Sequence, residues 1–327
     1  MRNQMRGDAI LNVIGPTLKQ NTRFSDLFYD SVDIDINPRT ECKLSVLRIE
    51  SGEFILGEMF DYLSKASIGY VLSRREYERY LADLATDPNN AMAWAEDIKA
   101  KFQEPNATNG EGGEMILYAL LEEVVGAPKI LSKMEIKTNN KMPVFGADGL
   151  HLLRVRDDEY QLVFGESKMH GDLGGAISKA FESMSSVKDT SFRDDTSLVS
   201  SQLMKEAVND EQLKALEAIL IPEPGATQRI KLVNSFGVLV TFDLDVDDFD
   251  LSLHDDDQIE TEFRIRAQNA VQAKTNNIQK QIRKYQLGAT NFHIFAIPFL
   301  KRTVGAEAHG VDKVRKDLQQ RLRWGKG

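Results

Sequence analysis

Three charged side chains in the middle of the chain have the types and spacing of a metal-dependent hydrolytic site. Asp148 stands at the start of the apolar stretch 150–156. Glu166 and Lys168 stand at the end of the next apolar stretch, 160–165. A polar turn separates the two stretches, and each is rich in branched or aromatic residues, so they are predicted to form a β-hairpin. All three charged residues then lie at the same end of that hairpin.

The register of the hairpin decides whether these groups meet. If the chain folds about Asp157, Asp148 faces Glu166, whereas a two-residue loop at 157–158 shifts the pairing by one. Opposed residues have Cβ atoms about 5 Å apart. Alternation puts Glu166 and Lys168 on one face and turns Ser167 away. In the first register two carboxylates and one ammonium converge, and Mg²⁺ is often bound by one or two carboxylates plus substrate phosphate.

A Glu-x-Lys sequence on a strand is more often part of a solvated edge, and that interpretation competes with the site. Gly146 and Gly149 flank Asp148, where the backbone needs a special bend or a close approach. Gly165 does the same before Glu166. The charged residues also follow an apolar strand instead of alternating along it. These features favour a functional site.

A fourth acidic residue lies upstream on a predicted helix. Helical spacing places Glu114 on the same face as Leu117, Tyr118 and Leu121. An acid on the apolar face of a helix that packs against the hairpin would reach the same site. The alternative is that Glu114 only favours the helix N-terminus electrostatically, which is worth about 0.3–1 kcal/mol.

Together, Glu114, Asp148, Glu166 and Lys168 resemble the pattern of the PD-(D/E)xK nuclease superfamily. That pattern is a helix-borne Glu, an Asp that opens a hairpin strand, and a (D/E)xK sequence that closes the next strand. Ala147 replaces the proline that often precedes the aspartate. More narrowly, the chain resembles the nuclease subunit of the Hachiman anti-phage defence system (HamA-like), which works with a helicase subunit.

The resemblance implies a metal-dependent deoxyribonuclease. Asp148 and Glu166 would hold Mg²⁺ or Mn²⁺, and Glu114 would bind a second metal or position metal-bound water. Lys168 would orient the attacking water and stabilise negative charge. The implied partners are DNA and a superfamily 2-type helicase subunit (HamB-like). Two alternatives stay open: a non-catalytic DNA-binding or scaffold subunit of a helicase complex, and an RNA-directed nuclease.

The order of predicted elements gives the fold class and a division of the chain. A polar, glycine-rich loop at 104–113 separates an N-terminal accessory or partner-binding region, 1–103, from a nuclease core with basic C-terminal helices, 104–327. The core is predicted to be restriction-endonuclease-like. The strand–helix–strand–helix order from Ile230 onwards predicts a parallel crossover beside the hairpin. We therefore expect an α/β fold, a mixed sheet with the hairpin at its centre and helices on both faces. Helices are predicted at 52–64, 66–85 and 258–287, among others.

Composition excludes several classes of protein. The 327 residues are 42% hydrophobic and 28% charged, as in globular proteins. No stretch approaches the roughly 20 apolar residues of a membrane helix, so no membrane partner is expected. Cys42 is the single cysteine, which rules out disulfides within the chain and fits a reducing cytosol. One cysteine and five scattered histidines give no zinc-type cluster.

Charge is distributed unevenly along the C-terminal third. The net charge is −9, but residues 261–327 carry 14 Lys and Arg against four acids. The preceding segment, 241–260, has nine acids and no Lys or Arg. Such an asymmetry is typical of a nucleic-acid surface, and equally of a pair of solvated helices. The role of the acidic segment stays open.

Overall fold

A computed structural model of the protein describes residues 14–105, 110–132, 134, 147–156, 158–187, 203–221, 230–304 and 307–325. The strands are β1 (Val32–Asp33), β2 (Thr40–Leu44), β3 (Ile49–Glu50), β4 (Glu53–Phe54), β5 (Lys129–Ser132), β6 (Gly149–Arg156), β7 (Glu159–Lys168), β8 (Lys231–Asp245), β9 (Asn291–Val304) and β10 (Glu307–His309). The helices are α1 (Leu56–Val71), α2 (Arg74–Thr86), α3 (Asn90–Lys101), α4 (Glu111–Leu120), α5 (Leu173–Val187), α6 (Asp210–Leu220), α7 (Asp256–Gln272), α8 (Thr275–Lys284) and α9 (Val311–Trp324). Gly146 and Asp157 lie outside the described residues.

The strands form one mixed sheet in the order β1-β2-β9-β8-β7-β6-β5, with β10 paired to β9 and with β3 and β4 in a separate ribbon. The pairs β7–β8, β8–β9 and β9–β2 are parallel, while the pairs β5–β6, β6–β7 and β1–β2 are antiparallel. The predicted α/β class and the predicted parallel crossover are both confirmed.

The sequence predicted that the hairpin lies in the middle of the sheet, and this prediction is wrong. The hairpin forms β6 and β7, and β8 is the middle strand. The reason is that β9, β2 and β1 extend the sheet beyond β8, whereas β5 alone extends it beyond the hairpin. Parallel strands covered on both faces read as continuous apolar runs, and β8 has an unbroken buried run from Ser235 to Phe242.

Helices cover both faces of the sheet. A Cβ atom at Gly165 would lie 3.4 Å from Leu117 of α4, so this side of β7 faces α4. Phe164, the preceding residue, contacts Phe236 of β8, and the aromatic cluster continues to Phe181 of α5. Because successive residues of a strand point to opposite faces, α4 and α5 lie on opposite sides of the sheet.

The region assigned to an N-terminal accessory part contributes to the same sheet and core. Strand β2 pairs with β9, and α1 packs against α4 and α9. At the end of α4 a π-helical turn, Leu121–Val125, follows without a break. Its Glu122 accepts hydrogen bonds from the main-chain N–H groups of Thr17, Leu18 and Lys129. The partner-binding role of residues 1–103 stays a prediction.

Two helix boundaries differ from the sequence prediction. The break expected near residue 65 lies at Ser73, whose side chain forms a capping box with Glu76 at the start of α2. The single helix predicted at 258–287 is divided into α7 and α8 near Lys274. At both Ser73 and Lys274 the helical spacing of apolar residues continues across the observed boundary. Neither boundary is marked by an adjacent glycine or proline in the sequence.

Candidate active site

The hairpin adopts the register that brings Asp148 beside Glu166. Gly149 pairs with Gly165 and Leu150 pairs with Phe164. One residue earlier, the N–H of Asp148 donates to the carbonyl of Gly165 at 2.8 Å. The register shift that the polar turn requires lies at the other end of the hairpin, after Arg154. The first of the two registers considered from the sequence is therefore confirmed.

Asp148 is fastened to the end of β7 by its side chain. Its Oδ2 atom accepts hydrogen bonds from the main-chain N–H of Ser167 at 2.7 Å and from the Ser167 hydroxyl at 2.8 Å. Both residues are buried. Two donors on one carboxylate oxygen fix the direction of that carboxylate. The Asp148 carboxylate is thus held beside the Glu-Ser-Lys sequence by the residue between its two charged members.

Glu166 and Lys168 form an ion pair on the opposite face of β7 from Ser167. The Glu166 side chain is 3% exposed, whereas that of Lys168 is 28% exposed. The alternation predicted from the sequence is visible here, since the two charged side chains meet and Ser167 turns away to Asp148. The ammonium of Lys168 therefore lies at the boundary between the core and solvent.

Glu114 lies in the first turn of α4 and is 4% exposed. Its Oε2 atom accepts a hydrogen bond from the hydroxyl of Tyr70 at 3.1 Å. Burial, together with the negative charges of Glu114 and Asp148, raises the pKa of Tyr70 well above its usual value. The phenol therefore keeps its proton and remains the donor.

A cavity of about 10 Å³ between α4 and the sheet is lined by both Glu114 and Asp148. This volume holds roughly one water molecule. Glu166 and Lys168 do not line it. The four predicted residues thus form two pairs, Glu114 with Asp148 and Glu166 with Lys168, and Ser167 connects them.

Among the residues that the structure describes, no three His, Cys, Asp or Glu side chains form a group spaced to hold a metal ion. The set of Glu114, Asp148 and Glu166 is therefore not gathered into one three-carboxylate centre. Asp148 and Glu166 adjoin along the backbone at the end of the hairpin, with the Asp148 carboxylate bound to Ser167 and the Glu166 carboxylate paired with Lys168. Two carboxylates with substrate phosphate are a common way of binding Mg²⁺ in proteins. The metal-binding roles stay a prediction.

Sequence reasoning missed residues that surround the cavity. Tyr70 belongs to α1, in the region without a visible constellation of catalytic residues. Lys129 is fully buried, and its Nζ atom donates to the carbonyls of Tyr70 and Leu72 at 3.2 and 3.0 Å. Nothing local in the sequence marks these contacts, because they join α1 to β5. His151 had a signal, since alternation along β6 places it on the same face as Gly149.

His151 lines the same cavity as an uncharged ring. Its Nδ1–H donates to the carbonyl of Ala127 at 2.8 Å. Complete burial lowers the pKa of His151 to about 4, although the hydrogen bond to Ala127 acts in the opposite direction. The ring is therefore neutral at physiological pH and adds no positive charge to the site.

Most of the basic C-terminal segment is paired within the fold. Ion pairs with carboxylates are formed by Arg264, Arg266, Lys301, Arg302, Lys313, Arg315, Arg321 and Arg323. Lys280 and Arg283 of α8 are exposed, and within the described part of the chain they form no ion pair. The basic residues in ion pairs fit the interpretation of the C-terminal helices as solvated helices. The exposed positive charge of α8 fits the alternative, a nucleic-acid surface.

Residues 22–322 match the model of the HamA protein family. A comparison with curated proteins gives no match. Across the ranges that the structure covers, no helix is both long enough and apolar enough to span a bilayer.

Proposed function

Since the chain belongs to the HamA family of Hachiman anti-phage defence proteins, we propose that it is a metal-dependent nuclease that hydrolyses DNA phosphodiester bonds. The observation that carries the proposal is the hairpin register, which sets the backbone of Asp148 across from Glu166, whose side chain is paired with Lys168. A solvated strand edge does not require a buried carboxylate that is held by two hydrogen bonds to Ser167. A buried and oriented carboxylate of this kind is more typical of a functional site than of a solvated strand.

Asp148 and Glu166 are the proposed ligands of Mg²⁺ or Mn²⁺. Carboxylate oxygens are the donors these hard cations prefer. When bound, the cation supplies an activated water and neutralises charge on the phosphate. The buried surroundings of both carboxylates strengthen their electrostatic effect on anything that enters the site.

Lys168 provides the positive charge of the proposed mechanism. Its side chain reaches solvent and is paired with Glu166, so it is able to face a phosphate without leaving the hairpin. It orients the attacking water and stabilises the negative charge that develops on the phosphate oxygens. Glu114, on the other side of Asp148, holds a water in the small cavity or takes part in a second metal site.

DNA is proposed to contact the exposed basic residues of α8. Lys280 and Arg283 project from this helix, and each phosphate contact contributes a salt-dependent share of affinity. A superfamily 2-type helicase subunit is proposed to deliver the DNA, with residues 1–103 as its binding region.

Cleavage assays with purified protein test the proposal. Plasmid and linear DNA are incubated with Mg²⁺ or Mn²⁺, with and without the proposed HamB-like helicase subunit. Wild type is compared with Lys168→Ala and with Lys214→Ala, which removes an exposed lysine of α6. We expect cleavage by wild type and by the Lys214 variant, and a loss of at least 100-fold in the Lys168 variant, as for the removal of a group that stabilises the transition state.

Two results would redirect the proposal. Cleavage of RNA but not of DNA would replace the substrate while keeping the site. Retention of full defence in cells by both Glu166→Gln and Lys168→Ala variants would favour a non-catalytic scaffold, for which the absence of a three-carboxylate group in the described residues is the supporting observation.

A further inference from the structure

We propose that Tyr70 is a positioning residue of the nuclease site, whose hydroxyl orients the Glu114 carboxylate toward Asp148. The inference rests on the proposed function and adds to it. It assigns part of the site to α1, in the region that sequence analysis treated as accessory.

The contact between Tyr70 and Glu114 lies inside the core. The hydroxyl is 3.1 Å from Glu114 Oε2, and the exposed fractions of the two residues are 2% and 4%. Both residues line the cavity that also contains Asp148. With water largely excluded, a hydrogen bond to a carboxylate is directional and strong. It therefore selects one orientation of the Glu114 side chain.

The Tyr70 ring is fixed by its aromatic neighbours. It stacks on Phe102 with ring centroids 6.5 Å apart, and it meets Tyr118 of α4 at 5.4 Å. These two contacts hold the ring in a close-packed core. In this position the hydroxyl donates to Glu114, in the first turn of α4.

The backbone of Tyr70 is also held. Lys129 donates to the carbonyls of Tyr70 and Leu72, which are among the last carbonyls of α1 and lack partners within the helix. At the preceding residue, a Cβ on Gly69 would lie 2.3 Å from the carbonyl oxygen of Thr17 and 2.8 Å from the hydroxyl of Tyr118. Glycine at this position permits the close approach, so the end of α1 is confined on two sides.

Residues that support metal ligands without touching the metal typically change metal affinity or activity 10- to 100-fold when removed. Tyr70→Phe removes the hydroxyl and keeps the ring. Tyr62→Phe is the matched control, because Tyr62 is a buried tyrosine of the same helix whose hydroxyl contacts Glu123, in the π-helical turn after α4, at 3.4 Å. Both variants lose one buried phenolic oxygen, but only Tyr70→Phe loses a hydrogen bond to Glu114.

The test measures Mn²⁺ binding by titration calorimetry and, separately, the Mn²⁺ concentration that gives half-maximal DNA cleavage. We expect Tyr70→Phe to weaken Mn²⁺ binding about 10-fold and to raise that concentration by a similar factor. Tyr62→Phe should leave both quantities within twofold of wild type. In a Glu114→Ala background, Tyr70→Phe should have no further effect, because the acceptor of its hydroxyl has been removed.

Each outcome separates the inference from the proposed function. If Lys168→Ala abolishes cleavage while Tyr70→Phe equals Tyr62→Phe in both measurements, the nuclease stands and the positioning role of Tyr70 is rejected. An effect of Tyr70→Phe that persists unchanged in the Glu114→Ala background also rejects it. A wild-type protein that neither binds Mn²⁺ nor cleaves nucleic acid overturns the proposed function itself.

Discussion

Asp148 accepts two hydrogen bonds from Ser167, one from its main-chain N–H at 2.7 Å and one from its hydroxyl at 2.8 Å. Asp148 directly precedes β6, and Ser167 stands between Glu166 and Lys168 at the end of β7. These hydrogen bonds therefore join the start of β6 to the end of β7. The middle residue of the Glu-Ser-Lys sequence therefore holds the Asp148 side chain at the end of β7.

Ser167→Ala is expected to lower both stability and activity. The hydroxyl bond to Asp148 is lost while the N–H bond remains, so we expect the free energy of unfolding to fall by about 1 kcal/mol. Urea denaturation measures this change, and DNA cleavage should fall along with it. Ser186→Ala, at an exposed residue of α5, is the control. Equal stability of the two variants would contradict the prediction.

Several features of the site were predictable because they are local in sequence. The two apolar stretches, the turn between them and the alternation of side chains determine the hairpin and place Glu166 and Lys168 on one face. Gly149 and Gly165 form a cross-strand pair, which anchors the register next to Asp148. A helix that carries Glu114 on its apolar face was also predictable from spacing alone.

Other features depend on contacts between distant segments. The hydrogen bond from Tyr70 to Glu114 joins α1 to α4, and the buried Lys129 joins β5 to α1. The displacement of the hairpin from the middle of the sheet follows from the pairing of β2 with β9. Periodicity within one segment carries no information on such pairings, which explains why the N-terminal region was treated as separate.

Substitution of Gly237 by alanine is expected to destabilise the protein, whereas the same substitution at Gly165 is expected to be tolerated. An added Cβ at Gly237 would lie 2.6 Å from Leu121, which is fully buried, whereas at Gly165 the nearest atom is 3.4 Å away. Overpacking of this kind costs about 1–3 kcal/mol. Thermal or urea unfolding should therefore show Gly237→Ala to be less stable than Gly165→Ala. The reverse order would mean that α4 is not seated on β8 as described.

The ion pair between Arg74 and Glu206 is expected to contribute strongly to stability. The N–O distance is 2.5 Å, and the side chains are 10% and 0% exposed. Arg74 also donates to the carbonyls of Lys129 and Gly15. Arg74→Met removes the guanidinium that pairs with this buried carboxylate, and breaking a buried pair costs about 3–5 kcal/mol.

The control for Arg74→Met is Lys43→Met, which breaks the pair between Lys43 and Asp33 on the surface. Exposed pairs contribute about 0–1 kcal/mol. Urea denaturation of both variants gives the comparison. A loss below 1 kcal/mol for Arg74→Met would show that Glu206 is accommodated without its partner.

The stability of the protein is expected to fall between pH 6.5 and pH 4 because of His151. Burial lowers the pKa of His151 to about 4 from the usual 6.5, so the unfolded chain takes up a proton in this range before the folded protein does. The stability that neutral His151 permits is complete above pH 6.5 and is lost as the pH falls toward 4. The shift corresponds to roughly 3 kcal/mol.

Urea denaturation from pH 4 to pH 7.5 measures this dependence. His151→Asn keeps a donor for the carbonyl of Ala127 and removes the titrating group, so its unfolding free energy should change less steeply below pH 6.5 than that of wild type. His254→Asn, in the surface turn Leu251–Leu253 and its cap, should retain the wild-type slope. If His151→Asn and wild type share one slope, another group causes the acid sensitivity, and the neutral ring beside Glu114 and Asp148 is not its origin.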